Sequence, residues 1–224
     1  MHGLRKSALS VAASCLLLSA NSELQADNYK IDPSHTSIIF GISHLKYSYT
    51  YGRFSINPGS NFVWNNANPS TSQFQIAIPV VSIDSNDPKR DAHLRNADFF
   101  NANQFPQIIF QSTSVTPTLQ DNPAGNKYDV VGNLMMHGVT RQITLPMKKL
   151  GEGPGPAGKH RCGFFCQTFI KRSDFGMANM IPDIGDQVAI TISFEGVREG
   201  AAGSGSAPKA AGSGSAPKGI GVAR

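Results

Sequence analysis

The sequence predicts an all-β fold, an extended antiparallel β-barrel of about eight strands that carries one short helix. Apolar and polar residues alternate through most of the chain, as in strands with one apolar face and one solvated face. Residues typical of turns, mainly glycine and proline, separate the alternating segments. Closing such a sheet removes its exposed edges, which favours a barrel over the alternative, a two-sheet sandwich.

The alternating segments follow one another along the chain. In the first of them, Ile38, Phe40, Ile42 and His44 share one face, which we expect to point into the barrel. Short turns such as His137-Gly138 predict hairpins between neighbouring strands. The later segments cover residues 53–56, 62–64, 73–80, 108–114, 128–136, 141–147, 164–171 and 187–194.

One stretch breaks the alternation and predicts the helix, from Pro88 to Ala97. Asp87 can cap the helix, and proline suits its first position. Leu94, Ala97 and Phe100 then recur at helical spacing, which predicts that they pack inward. The helix is therefore expected to cover the mouth of the barrel.

The helix also carries candidate site residues. His93 is a candidate acid or base that Asp91 would orient. Residues two apart on a helix do not face each other, which disfavours this pair, whereas Asp91 and Arg95 are four apart and suit an ion pair.

The two ends of the chain lie outside the predicted domain. Residues 1–26 combine basic residues, a short apolar run and a small residue at the cleavage position, the pattern of a secretory signal peptide. The run is shorter than the roughly 20 residues of a membrane span, and a lipoprotein cysteine at Cys15 is the disfavoured alternative. The domain covers residues 27–199. Residues 200–224 contain a direct repeat rich in glycine, serine, alanine and proline, which predicts a flexible tail.

The charge balance excludes one class of partner. The whole chain has a net charge of +5. Within residues 27–199, however, 15 Lys and Arg face 14 Asp and Glu, which leaves +1. A nucleic-acid-binding domain needs a clustered basic face, so nucleic acid is not an expected partner.

Cys162 and Cys166 are the cysteines that remain after processing. On one regular strand their Cα atoms would be roughly 13 Å apart, whereas a disulfide allows at most about 7 Å. A metal site with His160 is a weak alternative, because no further ligand is nearby. We expect two small, semi-buried thiols.

The inward face of the predicted barrel is mostly apolar. About eight strands enclose either a packed core or one slender ligand, and the pattern leaves both possibilities open. An outer-membrane barrel is disfavoured, since it needs an apolar outer face and aromatic girdles, whereas the aromatic residues here are scattered.

A set of short motifs occurs in a fixed order along residues 29–199. They are Tyr29-Lys30-Ile31-Asp32, His35, Ile38-Ile39-Phe40, His44-Leu45, Tyr51-Gly52-Arg53-Phe54, the run from Arg90 to Phe100, Phe105-Pro106, Gly132-Asn133-Leu134, Gly138-Val139-Thr140, the run from Arg172 to Met177, and Phe194-Glu195-Gly196-Val197. Through these motifs the chain resembles the YceI-like family of periplasmic polyisoprenoid-binding proteins.

The resemblance implies a lipocalin-like barrel whose long apolar pore holds an isoprenoid lipid, such as a polyprenyl phosphate or a quinone. It also implies export to the periplasm, often a homodimer, and neither catalysis nor a cofactor or metal. Arg53 and Arg95 suit a phosphate head group, because guanidinium groups match its oxygens. The expected ligand-binding residues are Ile38, Phe40, Ile42, His44, Arg53, Phe54, His93, Arg95, Phe99, Phe100 and Phe110.

Two other functions stay open. One is an enzyme that acts on an apolar substrate, with His93 or His44 as acid or base. The other is a packed barrel that acts through its surface as an interaction or stress protein of the cell envelope.

Overall fold

The computed structural model describes residues 26–200. The predicted signal peptide and tail lie outside these residues, apart from Ala26 and Gly200. Within these residues, one α-helix, α1 (Pro88–Arg95), and nine strands are joined by short 3-10 turns and loops. The strands are β1 (Asp27–His44), β2 (Ser48–Phe54), β3 (Asn61–Trp64), β4 (Gln73–Pro79), β5 (Gln107–Pro117), β6 (Lys127–Met136), β7 (Val139–Pro154), β8 (His160–Lys171) and β9 (Ile184–Arg198).

The strands form one antiparallel sheet that closes into a barrel, which confirms the predicted fold class. Neighbours in sequence pair from β3 through β9, and β9 pairs in turn with β1. The other edge of β1 is shared, because β3 pairs with its first residues and β2 with its last. The nine strands therefore occupy eight positions around the barrel.

The first strand is longer than the sequence analysis predicts. β1 begins at Asp27 and runs for 18 residues. Its pairing with β9 shifts register between Ile31 and Thr36. Pro33 lies in this interval, and a proline inside a strand is tolerated at such irregularities because it has no N–H to donate.

The helix begins as predicted and ends early. The side chain of Asp87 accepts hydrogen bonds from the backbone N–H groups of Lys89 and Arg90, at 2.9 and 3.1 Å. The helix ends at Arg95 rather than Ala97, because Asn96 is extended and its side chain accepts a hydrogen bond from the N–H of Asp98. Ala97 is consequently exposed, and its predicted inward packing is wrong.

Two other boundaries differ from the prediction. The segment expected to reach Val80 ends at Pro79, and Val80 begins a 3-10 turn. The segment 53–56 ends as a strand at Phe54, and Ile56 is buried beyond it. The hairpin at His137-Gly138 is confirmed, with φ values of 52° and 75° that suit a two-residue turn.

Candidate functional site

A cavity of about 620 Å³ lies inside one half of the barrel. We call this the cavity half. Its wall is almost entirely apolar and comes from strands all around the barrel. The interior is therefore not packed throughout, as the alternative of a solid barrel would require. A volume of this size lies within the range of small-molecule sites.

The alternation of β1 and β9 builds one wall of the cavity. Ile38, Phe40 and Ile42 point inward and line it, as predicted. Each faces an aliphatic residue on β9 that lines the cavity as well. The facing pairs are Ile38 with Ile192, Phe40 with Ile190, and Ile42 with Val188.

Two glycines make room for aromatic rings of the wall. A Cβ atom on Gly52 would collide with the ring of Phe40, and one on Gly132 would lie 2.5 Å from Cζ of Phe110. Both phenylalanines line the cavity. The supporting glycines were not predicted, because a glycine within an alternating segment does not by itself show which ring lies over it.

The mouth of the cavity is polar on the side of α1. Lys89, Arg90 and His93 line it there, and His44 and Thr50 line it from the opposite strands. We refer to these five residues as the mouth residues. The placement of His44 agrees with the prediction that it points inward near one end of the barrel.

Asp91 anchors the helix over the cavity. It is buried, with 8% of its surface exposed. Its Oδ1 accepts hydrogen bonds from the N–H of Ser85 at 2.8 Å and from Oγ of Ser85 at 2.5 Å. Arg90 donates to the same serine through Nε and Nη2, at 2.8 and 2.6 Å. The helix is thereby tied to the loop that precedes it.

His93 has a different partner from the one expected. Its Nε2 lies 3.0 Å from Oδ2 of Asp98, and its ring packs edge-on against Phe99 at 5.0 Å. The carboxylate of Asp91 accepts its hydrogen bonds from Ser85 instead. Neither the Asp91–His93 pair nor the Asp91–Arg95 pair forms. The imidazole of His93 is thereby held by Asp98 beside the mouth, where its ring nitrogens can form hydrogen bonds.

The two predicted phosphate-binding arginines do not line the cavity. Arg53 lies on the outer face of β2, where Nη2 contacts Oδ2 of Asp84 at 2.8 Å. Arg95 donates from Nη2 to the carbonyl of Ile83 at 2.8 Å. The pKa of Asp84 is lowered, mainly by the N–H of Asn86 and then by Arg53. The other predicted residues, Phe54, Phe99 and Phe100, line the cavity.

Arg172 lines the cavity and was not among the predicted site residues. It lines the mouth side of the cavity and is buried, with 5% of its surface exposed. Its guanidinium donates to the carbonyls of Met177, Ile184 and Gly185 at 2.7 to 2.9 Å. Burial lowers the pKa of this group. Its place in the motif from Arg172 to Met177 was the available signal.

The cavity ends against a cluster of four phenylalanines, which we call the aromatic plug. The members are Phe62, Phe74, Phe164 and Phe194, all at most 2% exposed. All six ring pairs are in contact, with centroid distances from 5.2 to 6.3 Å. Beyond the plug lies the second half of the barrel, the closed half.

A network of polar side chains around Glu152 lies at the end of the closed half. Glu152 accepts hydrogen bonds from Tyr29, Asn66 and Lys149, at 2.7, 2.6 and 2.5 Å, and lies 3.2 Å from Nε2 of His160. Burial raises the pKa of this carboxyl, but the hydrogen bonds outweigh burial and bring it to about 2. The pKa of Tyr29 is raised, first by burial and then by Glu152.

Cys162 and Cys166 lie on β8, on either side of the plug residue Phe164, with both thiols buried and free. The semi-buried thiols that we predicted are thus fully buried, at 0% and 2% exposure. Burial raises the pKa of each to about 12. Both therefore stay protonated near neutral pH and are poor nucleophiles.

Two further properties of the described residues, 26–200, bear on function. No three His, Cys, Asp or Glu side chains there are grouped to hold a metal ion. Within the same residues, no helix is long and apolar enough to cross a membrane.

Comparison with known proteins gives consistent results. The family model of the YceI-like domain matches residues 29–196. A UPF0312 protein from Serratia proteamaculans is 41% identical over 197 residues, which cover 87% of this chain and 98% of that protein. BcnA from Burkholderia cenocepacia superposes with a TM-score of 0.64 at 23% identity, over 74% of this chain and 98% of BcnA. A polyisoprenoid binding domain from Saccharophagus degradans, implicated in plant cell wall breakdown, superposes with a TM-score of 0.56 at 16% identity, over 78% of this chain and 100% of that domain.

Proposed function

The chain belongs to the YceI-like family, and we propose that it binds an isoprenoid lipid inside its barrel. The observation that carries this proposal is the apolar cavity of about 620 Å³ with polar residues at its mouth. The solved Saccharophagus domain, which is named for polyisoprenoid binding, supports the choice of ligand class.

The proposed ligand is a polyprenyl phosphate or a quinone. Its apolar chain enters the cavity because each buried methylene contributes roughly 0.8 kcal/mol to binding. Its head group remains at the mouth, where Lys89, Arg90 and the two histidines offer hydrogen-bond donors. The role is sequestration, transport or storage of the lipid, without catalysis.

The proposed location is the periplasm. The support is the signal-peptide pattern of residues 1–26, which precedes the described residues. Cell fractionation and the N-terminal sequence of the mature protein test this location. A protein that keeps residues 1–26 and stays in the cytoplasm contradicts it.

The partner that we propose beside the lipid is a second copy of the chain. One row of facing residues on the outer surface, Tyr51, Gly41, Ala189 and Phe169, crosses four neighbouring strands. Tyr51 and Phe169 are 63% and 64% exposed. A homodimer that covers this row would bury apolar surface, and sedimentation of the mature protein tests it.

The primary experiment is native mass spectrometry of mature protein purified from its own periplasm, followed by organic extraction. We expect an isoprenoid in near-stoichiometric amount. Delipidated protein that takes up no long-chain lipid overturns the proposal.

A matched pair of variants on β9 tests the location of the ligand. Ile190→Asp places a carboxylate on the cavity wall, whereas the next residue, Thr191, belongs to the outward-facing set, so Thr191→Asp serves as its control. We expect Ile190→Asp to lower lipid affinity at least tenfold and Thr191→Asp to leave it within twofold, as order-of-magnitude estimates from burial of the chain. Circular dichroism confirms that both variants fold.

An enzyme acting on an apolar substrate is the second candidate function, favoured by the pairing of His93 with Asp98 at the mouth. It predicts turnover of a bound lipid that is lost in His93→Ala while lipid binding persists. Recovery of the extracted lipid unchanged after prolonged incubation counts against it.

A further inference from the structure

We propose that the cavity has a second opening, a slit in the barrel wall between β7 and β8, through which the apolar chain of the ligand enters and leaves. The inference rests on the proposed function, because it gives the proposed ligand a route into the cavity. Its basis is an interrupted strand ladder that lies between the cavity and a groove on the outer surface.

The ladder between β7 and β8 stops well before the mouth. Its last pair toward the mouth is Met147 with Cys166. Both strands continue beyond this pair, yet within the described part of the chain no pair joins residues 139–146 of β7 to residues 167–171 of β8. Pro146, next to the last pair, has no N–H to donate to a neighbouring strand. The two strand edges therefore face each other without backbone hydrogen bonds, and this stretch is the slit.

The slit is closed at both of its ends. The inner end is the pair of Met147 with Cys166. At the mouth end, Nε of Arg141 on β7 donates to the carbonyl oxygen of Asp174 at 3.0 Å, in the 3-10 turn that follows β8. Residues 142–146 of β7 lie between these two ends and extend over about 16 Å. The slit is thus a bounded window in the wall and not a frayed end of the sheet.

Two isoleucines lie between the cavity and the outside at the slit. Ile143 on β7 and Ile170 on β8 line the cavity, and both also line the groove on the outer surface. The register of the ladder, if continued, would place these two residues opposite each other. Phe169 lines the groove beside them and is 64% exposed. The barrier at the slit is therefore made of side chains and not of hydrogen-bonded backbone.

The other seams of the cavity half are held by backbone hydrogen bonds. Pairing runs alongside the cavity from β4 to β7, between β8 and β9, and between β1 and both β2 and β9. The gap between β2 and β4 is bridged by the segment that leads to α1, where Arg53 and Asp84 exchange two backbone hydrogen bonds at 2.8 and 3.0 Å. Opening these seams breaks such bonds, whereas at the slit a change of side-chain rotamers begins the opening.

The first test staples the slit. Thr144→Cys and Phe169→Cys place thiols on its two edges, at positions that the continued register would set opposite each other, and a short bismaleimide joins them. The native cysteines are buried and do not compete for the reagent. The matched control joins Phe169→Cys to Ala189→Cys, because it removes the same ring and links two residues that are already paired.

The measurement is the rate of uptake and release by delipidated mature protein. The probe is all-trans-retinol, a fluorescent isoprenoid alcohol, in a stopped-flow instrument, and geranylgeraniol that displaces it is the second probe. We expect the staple to slow uptake and release by at least about tenfold, and the control staple to leave both rates within about twofold. The dissociation constant should stay within about twofold in both, since a staple outside the cavity changes the route and neither end state.

A variant without a cross-link tests the opposite change. Ile143→Ala removes most of one side chain that closes the slit, and should raise the association rate at least about threefold. Ile192→Ala is its matched control, because it shortens the same side chain on the cavity wall where β8 and β9 are paired. We expect Ile192→Ala to weaken binding through faster release, with an unchanged association rate.

The outcomes separate this inference from the proposed function. If neither retinol nor geranylgeraniol binds the wild type, the proposed function fails and the slit fails with it as a route for the ligand. If they bind but the stapled protein keeps the wild-type rates, the ligand passes through the mouth and only the present inference fails. Equal slowing by the control staple overturns it as well. If the reagent does not bridge the slit, the association rate of Ile143→Ala decides, and a rate no higher than that of Ile192→Ala overturns the inference.

Discussion

The two halves of the barrel are built on the same strands and the same alternation, yet one is closed and the other is hollow. In the closed half, inward positions carry large rings such as Trp64, Phe74 and Phe164, all nearly inaccessible to solvent. In the cavity half, further inward positions on the same strands carry aliphatic residues, such as Ile76 on β4 and Ile170 on β8. On these two strands, inward rings fill the closed half, and smaller inward side chains leave space in the cavity half.

This difference separates stability from binding. Rings that touch on every side contribute most to the free energy of unfolding, because each loses its full water contact and gains packed neighbours. Side chains on the cavity wall face empty space on one side and contribute less. The closed half therefore stabilises the barrel, which allows the other half to stay open.

The strongest test of this comparison truncates one phenylalanine in each half. Phe164→Ala should reduce the free energy of unfolding by about 3–5 kcal/mol, because it leaves a void inside the plug. Phe100→Ala should cost less than about 2 kcal/mol, since Phe100 is half-buried and lines the cavity. Urea denaturation of the ligand-free protein measures both losses. Equal losses would show that the two halves do not differ in packing energy.

The polar network at the closed end gives the next effect. Glu152→Gln should reduce the free energy of unfolding by about 2 kcal/mol near neutral pH, because charge-assisted hydrogen bonds from Tyr29, Asn66 and Lys149 are weakened. The pKa of Glu152 is about 2 in the folded protein, below its ordinary value of 4.5. Its contribution is therefore complete above pH 4.5 and is lost as the pH falls toward 2.

Thermal unfolding across this pH range checks the sign. The wild type and Glu152→Gln should differ most above pH 4.5 and converge toward pH 2. Glu199→Gln, at an exposed position beyond β9, serves as the control and should follow the wild type throughout. A difference between wild type and Glu152→Gln that grows on acidification would contradict the assignment.

Most of the barrel could be predicted because alternation reports directly on strands with one buried face. The missed part of β1 contains Pro33 and Ser34, which are typical of a turn. The strand continues there because pairing with β9 resumes at Thr36 after a shift in register. Such a tertiary effect leaves no local trace. The end of α1 was missed for a similar reason, since the side chain of Asn96 competes with the helix.

The candidate site was predictable where it depends on strand faces and not where the chain turns. Ile38, Phe40 and Phe110 line the cavity because alternate residues of a strand point to the same face, and this face is the inner one. The partner of His93 is Asp98, beyond the end of the helix, and helical spacing cannot indicate it. The sequence analysis treated a packed core and a cavity as alternatives for the whole lumen. In the structure the inward side chains differ along the lumen, so one half is packed and the other contains the cavity.

The smallest expected effect concerns Arg53, which the sequence analysis assigned to a phosphate head group. Its side chain is 74% exposed and pairs with Asp84 outside the cavity, whereas Arg90 lines the mouth. Exposed ion pairs contribute at most about 1 kcal/mol, so Arg53→Ala should lower stability by no more than that. Arg53 cannot reach a head group at the mouth from the outer face of β2. The affinity for geranylgeranyl phosphate should therefore fall less than about twofold in Arg53→Ala. It should fall at least tenfold in Arg90→Ala, because guanidinium–phosphate hydrogen bonds are strong. Calorimetry with both variants measures this, and a large loss confined to Arg53→Ala would move the head group from the mouth to the outer surface near Asp84.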